Sequence, residues 1–150
     1  TGEFTCSMST WDTRDGMNVS SAPVPPGVDE FPISDLTATA SKFVVPPRVK
    51  ESPAAFECKY WKTIELPDVV PGSDQGHFIV IGQVVGIYID DSYISNGIVD
   101  TGAMRPLARL GYMDYAVVTP ETMLTINRPE MTDDGDIAQA QAGDWDGAYR

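Results

Sequence analysis

The sequence predicts a mainly β domain, an antiparallel barrel with short peripheral helices. Three observations carry that expectation. The run from His77 to Asp90 is apolar on both parities, with Ile79, Ile81, Val85, Ile87 and Ile89 on one side and Phe78, Val80, Val84 and Tyr88 on the other. Ala54 to Leu66 alternates instead, with Phe56, Cys58, Tyr60, Ile64 and Leu66 opposite Glu57, Lys59, Thr63 and Glu65. The remaining apolar segments are short and bounded by turn residues, a spacing that fits short antiparallel strands better than long helices.

Glu3 to Met8 reads as a short strand. Ser9-Thr10-Trp11-Asp12 resembles a capping box, a hydroxyl followed three residues on by a carboxylate, and predicts a short helix over Trp11 to Met17. Three prolines within Ser20 to Gly27 remove amide donors and force a surface loop. Asp29-Glu30-Phe31 can start another helical turn that ends at Asp35-Leu36-Thr37, and Lys42 to Val45 then runs extended into Pro46-Pro47. The alternation of Ala54 to Leu66 predicts a strand with one wet face. Turn-rich residues, Pro67 to Gly76, lead to the strand His77–Asp90, expected to be buried on both faces. Gly82 and Gly86, four residues apart, are read as one face where the strand coils or a ligand approaches the backbone. Asn96-Gly97 signals a tight turn. Thr101 can cap a helix over Ala103 to Leu110, and Tyr115–Thr119 and Thr122–Asn127 read as two strands joined at Pro120. Beyond Pro129 the chain is an acidic tail with no periodicity.

The 150 residues suit one domain, and 42% hydrophobic with 21% charged residues is globular composition. A net charge of −12 repels nucleic-acid backbones and anionic membrane surfaces. Six acids and one arginine of that balance lie in residues 130–150. Cys6 and Cys58 are too few for a disulfide framework, and they read as free thiols in strands of a reducing, cytoplasmic compartment. No apolar run is long enough for a membrane helix. Asp90-Asp91 with Asp100 lacks the ligand density of a calcium loop, so no metal site is expected.

Several segments then occur in the order and spacing of a known family. They are Thr1-Gly2-Glu3-Phe4, Ser20-Ser21-Ala22-Pro23 with Gly27-Val28-Asp29-Glu30-Phe31, and Pro46-Pro47-Arg48-Val49 with Glu51-Ser52-Pro53. Phe56-Glu57-Cys58, Gly76 to Val85, and Arg105 to Tyr112 through Asp114-Tyr115 complete the series. Together they resemble the flavin-reductase-like, FMN-binding split-barrel family, which includes short-chain NAD(P)H:flavin reductases and flavoredoxin-like carriers. The resemblance covers residues 1–129, which it identifies as the C-terminal portion of such a domain, with 130–150 a tail outside it.

The resemblance implies FMN as cofactor and NAD(P)H as co-substrate. It also implies a homodimer and an electron acceptor such as a monooxygenase. The cofactor would carry the chemistry, so no catalytic triad is expected and no catalytic residue is named. The family's residues for the FMN phosphate lie upstream of the segment matching Thr1 to Phe4. The barrel is therefore expected to be incomplete without an N-terminal segment or a second chain that supplies strands, leaving an open sheet edge.

Six residues are carried over as flavin-site candidates. His77 stands at the entry to the central strand, where the alternative is a histidine that bonds a loop. Arg109, Gly111 and Tyr112 correspond to a closing loop near the isoalloxazine; an arginine there would stabilise the reduced ring, and the alternative is a pair with Asp114. Glu30 and Phe31 border the flavin's open face in the family, or Phe31 is a small core plug. A non-catalytic FMN-binding or structural dimer module is the competing function.

Overall fold

The structure is a computed structural model that describes residues 1–67, 76–129, 131–137 and 147. Its strands are β1 (Glu3–Ser7), β2 (Ala38–Thr39), β3 (Arg48–Val49), β4 (Ala54–Leu66), β5 (His77–Ile89), β6 (Ile94–Ser95), β7 (Ile98–Val99), β8 (Leu107–Arg109) and β9 (Tyr115–Val117). Three short helices, α1 (Arg14–Ser20), α2 (Phe31–Ser34) and α3 (Thr101–Met104), lie between them. The main sheet has the order β1-β4-β5, and β2–β3, β6–β7 and β8–β9 are separate antiparallel pairs. The mainly β, antiparallel expectation holds, and the barrel is not closed. No helix among the described residues is long and apolar enough to cross a membrane.

The long hairpin β4–β5 organises the sheet. Its register runs from Ala54 opposite Ile89 to Leu66 opposite His77, with shifts beside Glu57/Cys58 and Tyr60/Lys62. At the first shift Val85 is the unpaired residue, and at the second it is Trp61. These are bulges, which bend and twist the strands that carry them.

The first bulge corrects the prediction that Gly82 and Gly86 share a face. A Cβ on Gly82 would lie 2.4 Å from the Phe4 ring and 3.2 Å from Cys58, whereas one on Gly86 would lie 2.4 Å from Phe43 and 3.4 Å from Glu57. Cys58 and Glu57 are consecutive on β4, so they point to opposite faces, and so do the two glycines. Each glycine admits an aromatic ring against the strand, and both sit at register shifts.

The two faces have different fates. The face bearing Thr5, Ser7, Ala55, Glu57 and Gly86 is covered by the segment between α2 and β4; Ala55 and Glu57 are only 3% and 4% exposed. The other face, with Cys6 and Phe56, is open, and Phe56 is 48% exposed. The wet and dry faces assigned to β4 therefore fail at Glu57, which is buried, and at Phe56, which is exposed, while Cys58 is buried as expected. The expectation that His77–Asp90 is buried on both faces also fails: Phe78, Val80 and Ile87 are all more than half exposed. Among the described residues β5 pairs only with β4, and no layer covers the open face. An unpaired edge beside an uncovered apolar face explains the exposure.

Smaller corrections have local causes. The first helix begins at Arg14 rather than Trp11, because Thr10 and Thr13 bond each other's groups in a preceding turn (Thr10 N–H to Thr13 Oγ1, 3.0 Å) and no side chain caps the helix. The expected helix over Ala103–Leu110 is only α3. Asp100 rather than Thr101 caps it, accepting the Ala103 amide at 2.9 Å, and Arg105 ends it at φ 53°. Pro106 then leads into β8, whose Leu107 amide donates to the Ser9 carbonyl. Lys42 to Pro46 bends instead of running extended, held by carboxylates described below. Thr122–Asn127 forms no strand, since Pro120–Thr122 is a 3₁₀ turn.

Other expectations hold. α2 begins with Asp29 accepting the Phe31 amide and ends at Asp35, φ 55°. Asn96 and Gly97 adopt φ of 52° and 79°, the left-handed pair that a two-residue type I′ turn requires. Most of the turn between β4 and β5 falls on 68–75, and most of the acidic tail on 138–146 and 148–150, outside the described residues. Within the tail, Thr132 and Asp136 close a turn through three hydrogen bonds.

Replacing Gly86 with alanine is expected to destabilise the fold by about 1–3 kcal/mol through overpacking against Phe43. In urea denaturation the same change should cost less in a Phe43→Ala background. Equal costs in both backgrounds would show that the ring contact is not the cause.

Candidate functional site

The covered face of the sheet is held by carboxylates that bind backbone amides. Glu57, buried on β4, accepts the Lys42 amide at 2.9 and 3.1 Å and the Phe43 amide through Oε2 at 2.5 Å. Glu3 of β1 accepts the Val45 amide at 2.9 Å, and Glu51 accepts the Thr37 amide at 3.1 and 3.2 Å. The loop from Thr37 to Pro47 is thus a strap laid over β1, β4 and β5. A buried carboxylate is costly unless its lone pairs are filled, and amide donors fill them.

Burial alone would raise the Glu57 carboxyl, but the amides of Lys42, Phe43 and Val44 and the charge of Arg48 outweigh it and hold the group below the usual carboxylate range. Glu51 shows the same balance, with burial opposed by Thr37. Ser92 and Arg48 likewise keep Asp90 low. The Arg48 guanidinium lies over the Tyr88 ring, 3.4 Å from its centroid, and its Nη1 is buried without a hydrogen-bond partner.

A cavity of about 330 Å³ opens between the strap, β1, α1 and α2. Thr5, Ser7 and Ser20 line it together with Met17, Phe31 and Val49. Three of its hydroxyls are already engaged: Thr5 donates to the Pro47 carbonyl, Ser7 accepts the Val49 amide, and Ser20 donates to the Met17 carbonyl. A second cavity of about 300 Å³ lies on the other side of α1, between Trp11, Arg14 and the β8–β9 hairpin at Leu107, Tyr115 and Val117; Met17 borders both.

The structure distributes the six carried-over residues over three places. His77 is exposed and pairs with Leu66 at the tip of the β4–β5 hairpin. At roughly 3.3 Å per residue, its 13-residue strand places it about 40 Å of strand path from Ile89. Phe31 is half-buried in the first cavity, and Glu30, exposed, accepts the Ser34 amide and hydroxyl through its carbonyl. Arg109, Gly111 and Tyr112 sit together in the β8–β9 turn. There Arg109 donates to the Tyr112 carbonyl and stacks on Tyr115 at 4.7 Å, so its partner is not Asp114. Tyr112 is 94% exposed. Only the last three are neighbours. Glu57 and Arg48 were not singled out in the sequence, although both fall inside the segments that carry the resemblance.

FMN requires a cation or a cluster of free donors for its phosphate. No lysine or arginine lines the first cavity. In the second, Arg14 is engaged by the Trp11 carbonyl at 2.6 Å, the Trp11 ring at 4.1 Å and Asp15 at 3.2 Å. The residues lining these cavities do not fit the phosphate end of FMN, whereas Phe31, Trp11 and Tyr115 offer apolar surface of the kind a flat ring takes. Among the described residues no group of three or more His, Cys, Asp or Glu side chains could hold a metal.

An antiparallel sheet strapped on one face and open on the other is a split barrel that has not closed. The chain belongs to the flavin reductase like domain family, which matches residues 1–110. It is 30% identical over 127 residues to an uncharacterized protein of Aquifex aeolicus, covering 84% of this chain and 61% of that one. Nitrilotriacetate monooxygenase component B from Bacillus cereus superposes with a TM-score of 0.71 at 26% identity, covering 82% of this chain and 60% of that one. A flavin-reductase candidate with a split barrel domain, from Shewanella frigidimarina, gives 0.65 at 25% identity over 78% and 57% of the two chains. The chain thus spans about three fifths of the length of the proteins it matches.

Glu57→Gln should lower stability at neutral pH by about 1.5–3 kcal/mol, the worth of hydrogen bonds to a charged acceptor. The Glu57 carboxyl is depressed in the fold, so its contribution is fully present above the unfolded value and is lost as pH falls through the folded one. Urea midpoints of wild type and variant should therefore converge in acid. A difference that persists to the lowest pH would exclude the carboxylate as its origin.

Proposed function

We propose that this chain is the barrel scaffold of a flavin-dependent oxidoreductase in which reducing equivalents pass from NAD(P)H to FMN, and from there to released flavin or a partner protein. The observation that carries this reading is the match of residues 1–110 to the flavin reductase like domain. The similarity to a monooxygenase component B supports an electron-accepting partner of that kind. The open face, and the edge of β5 that no other described strand pairs with, support a homodimer, or strands supplied by a second segment. A cytoplasmic setting fits the two free thiols.

In this reading the described residues serve the ring end of the flavin. Arg109 would place positive charge near the ring's edge, anchored by Tyr112 and Tyr115. Phe31 would offer a stacking face and Glu30 would fix the loop that presents it, while His77 would act from the hairpin tip. The lack of a phosphate grip in the cavities favours a second reading, a non-catalytic or structural dimer module of the same fold.

Titration of the purified chain with FMN should perturb the flavin absorbance, and anaerobic NADH or NADPH should then bleach it. Bound flavin that neither nicotinamide bleaches would remove the reductase reading, and absence of binding would leave the structural module. Arg109→Ala is expected to weaken flavin binding about tenfold, the equivalent of about 1.4 kcal/mol, while leaving the urea midpoint unchanged. Unaltered binding would take Arg109 out of the site.

A further inference from the structure

The open face of the sheet carries the chain's two cysteines. Cys6 on β1 lies opposite Phe56 on β4, and Cys58 on β4 lies opposite Phe4 on β1. The thiols are therefore diagonal neighbours on adjacent antiparallel strands, and the regular register puts both on the same face. Cys6 is exposed and Cys58 is buried. An open apolar groove of about 260 Å³, lined by Cys6, Met8, Ala54 and Phe56, leaves the Cys6 sulfur accessible to a small solute.

We propose that Cys6 and Cys58 form a peroxide-sensitive dithiol, in which the exposed thiol is oxidised first and the buried thiol closes a cross-strand disulfide. Diagonal neighbours sit with Cα atoms about 7–8 Å apart. A disulfide needs about 4.4–6.8 Å, so closure asks for a shift on the order of 1 Å. The structure provides for it, because β1 is an edge strand that, among the described residues, pairs in the main sheet with β4 alone. Burial pushes the Cys58 thiol up, and the adjacent Cys6 side chain adds to the shift. Cys58 is thereby kept protonated and out of the first step, because the thiolate is the nucleophile.

The chemistry balances with hydrogen peroxide as oxidant. The Cys6 thiolate attacks one peroxide oxygen; the S–O bond forms as the O–O bond breaks, and the departing hydroxide takes up a proton as water. Cys58 sulfur then attacks the Cys6 sulfur, forming S–S and breaking S–O, and its proton leaves with the hydroxyl as a second water. Two electrons pass from the thiols to the peroxide. A thiol reductant reverses the product by exchange. The inference does not depend on flavin binding.

The test treats the full chain with equimolar hydrogen peroxide, then alkylates it under denaturing conditions and measures intact mass and peptide map. Alkylatable thiols should fall from two to none, with one intramolecular Cys6–Cys58 peptide, and dithiothreitol should restore both. In Cys58→Ser the oxidised Cys6 should instead be trapped as a sulfenic acid by dimedone. The wild-type map alone decides the matter if that variant does not fold. Two thiols left free, a sulfenic or sulfinic acid accumulating on Cys6 in the wild type, or only intermolecular Cys6–Cys6 linkage would each overturn the proposal.

Discussion

The fold depends on one buried carboxylate. Glu57 is an acid near the base of the longest hairpin, and its burial would be destabilising by several kcal/mol if left unpaired. The amides of Lys42 and Phe43 reverse that balance, so the loop from Thr37 to Pro47 must lie where it does for the sheet to be stable. Phe43 then enters the space above Gly86, and the first cavity takes shape between this loop and α1 and α2. A residue that reads as the solvent side of a strand is thus what fastens the covering layer.

Much of the fold was legible in the sequence. β1, β4 and β5 follow from alternation and apolar runs, and the turn at Asn96-Gly97 and the start of α2 at Asp29 follow from residue chemistry. The errors share a cause. Alternation assigns faces only while the register is regular, and the bulge at Val85 shifts the phase, so Gly82 and Gly86 could not be sorted from spacing. Hydropathy assigns burial only when the covering layer is known. Glu57 is polar yet covered, because a loop some 15 residues earlier supplies amides that no local pattern reveals. Phe78, Val80 and Ile87 are apolar yet bare, because among the described residues the main sheet ends at β5.

The candidate site was less legible. The family resemblance was carried by ordered segments and is matched by membership in the flavin reductase like domain family. Individual positions are a different matter. His77, Phe31 and Arg109 lie close to motif residues, but nothing in a motif gives the distance between a hairpin tip, a helical turn and a second hairpin. Arg109 also illustrates how a charge is committed by its own turn: the Tyr112 carbonyl and the Tyr115 ring are local partners, closer at hand than the carboxylate of Asp114.

The two bulges of the long hairpin form a compensating pair. Val85 is the extra residue on one strand and Trp61 the extra residue on the other, so the pairing of Lys62 with Ile81 returns to the phase set by Ala54 with Ile89. Between them three residue pairs run one step out of phase, and outside them the register is that of a hairpin without insertions. Each insertion still steps its own strand past one alternation, so both strands turn together and the distal arm gives the covered side the residues that an uninterrupted hairpin would give the open side. Loss of Val85 or Trp61 alone would remove one bend and leave the remaining pairs and their faces as they are.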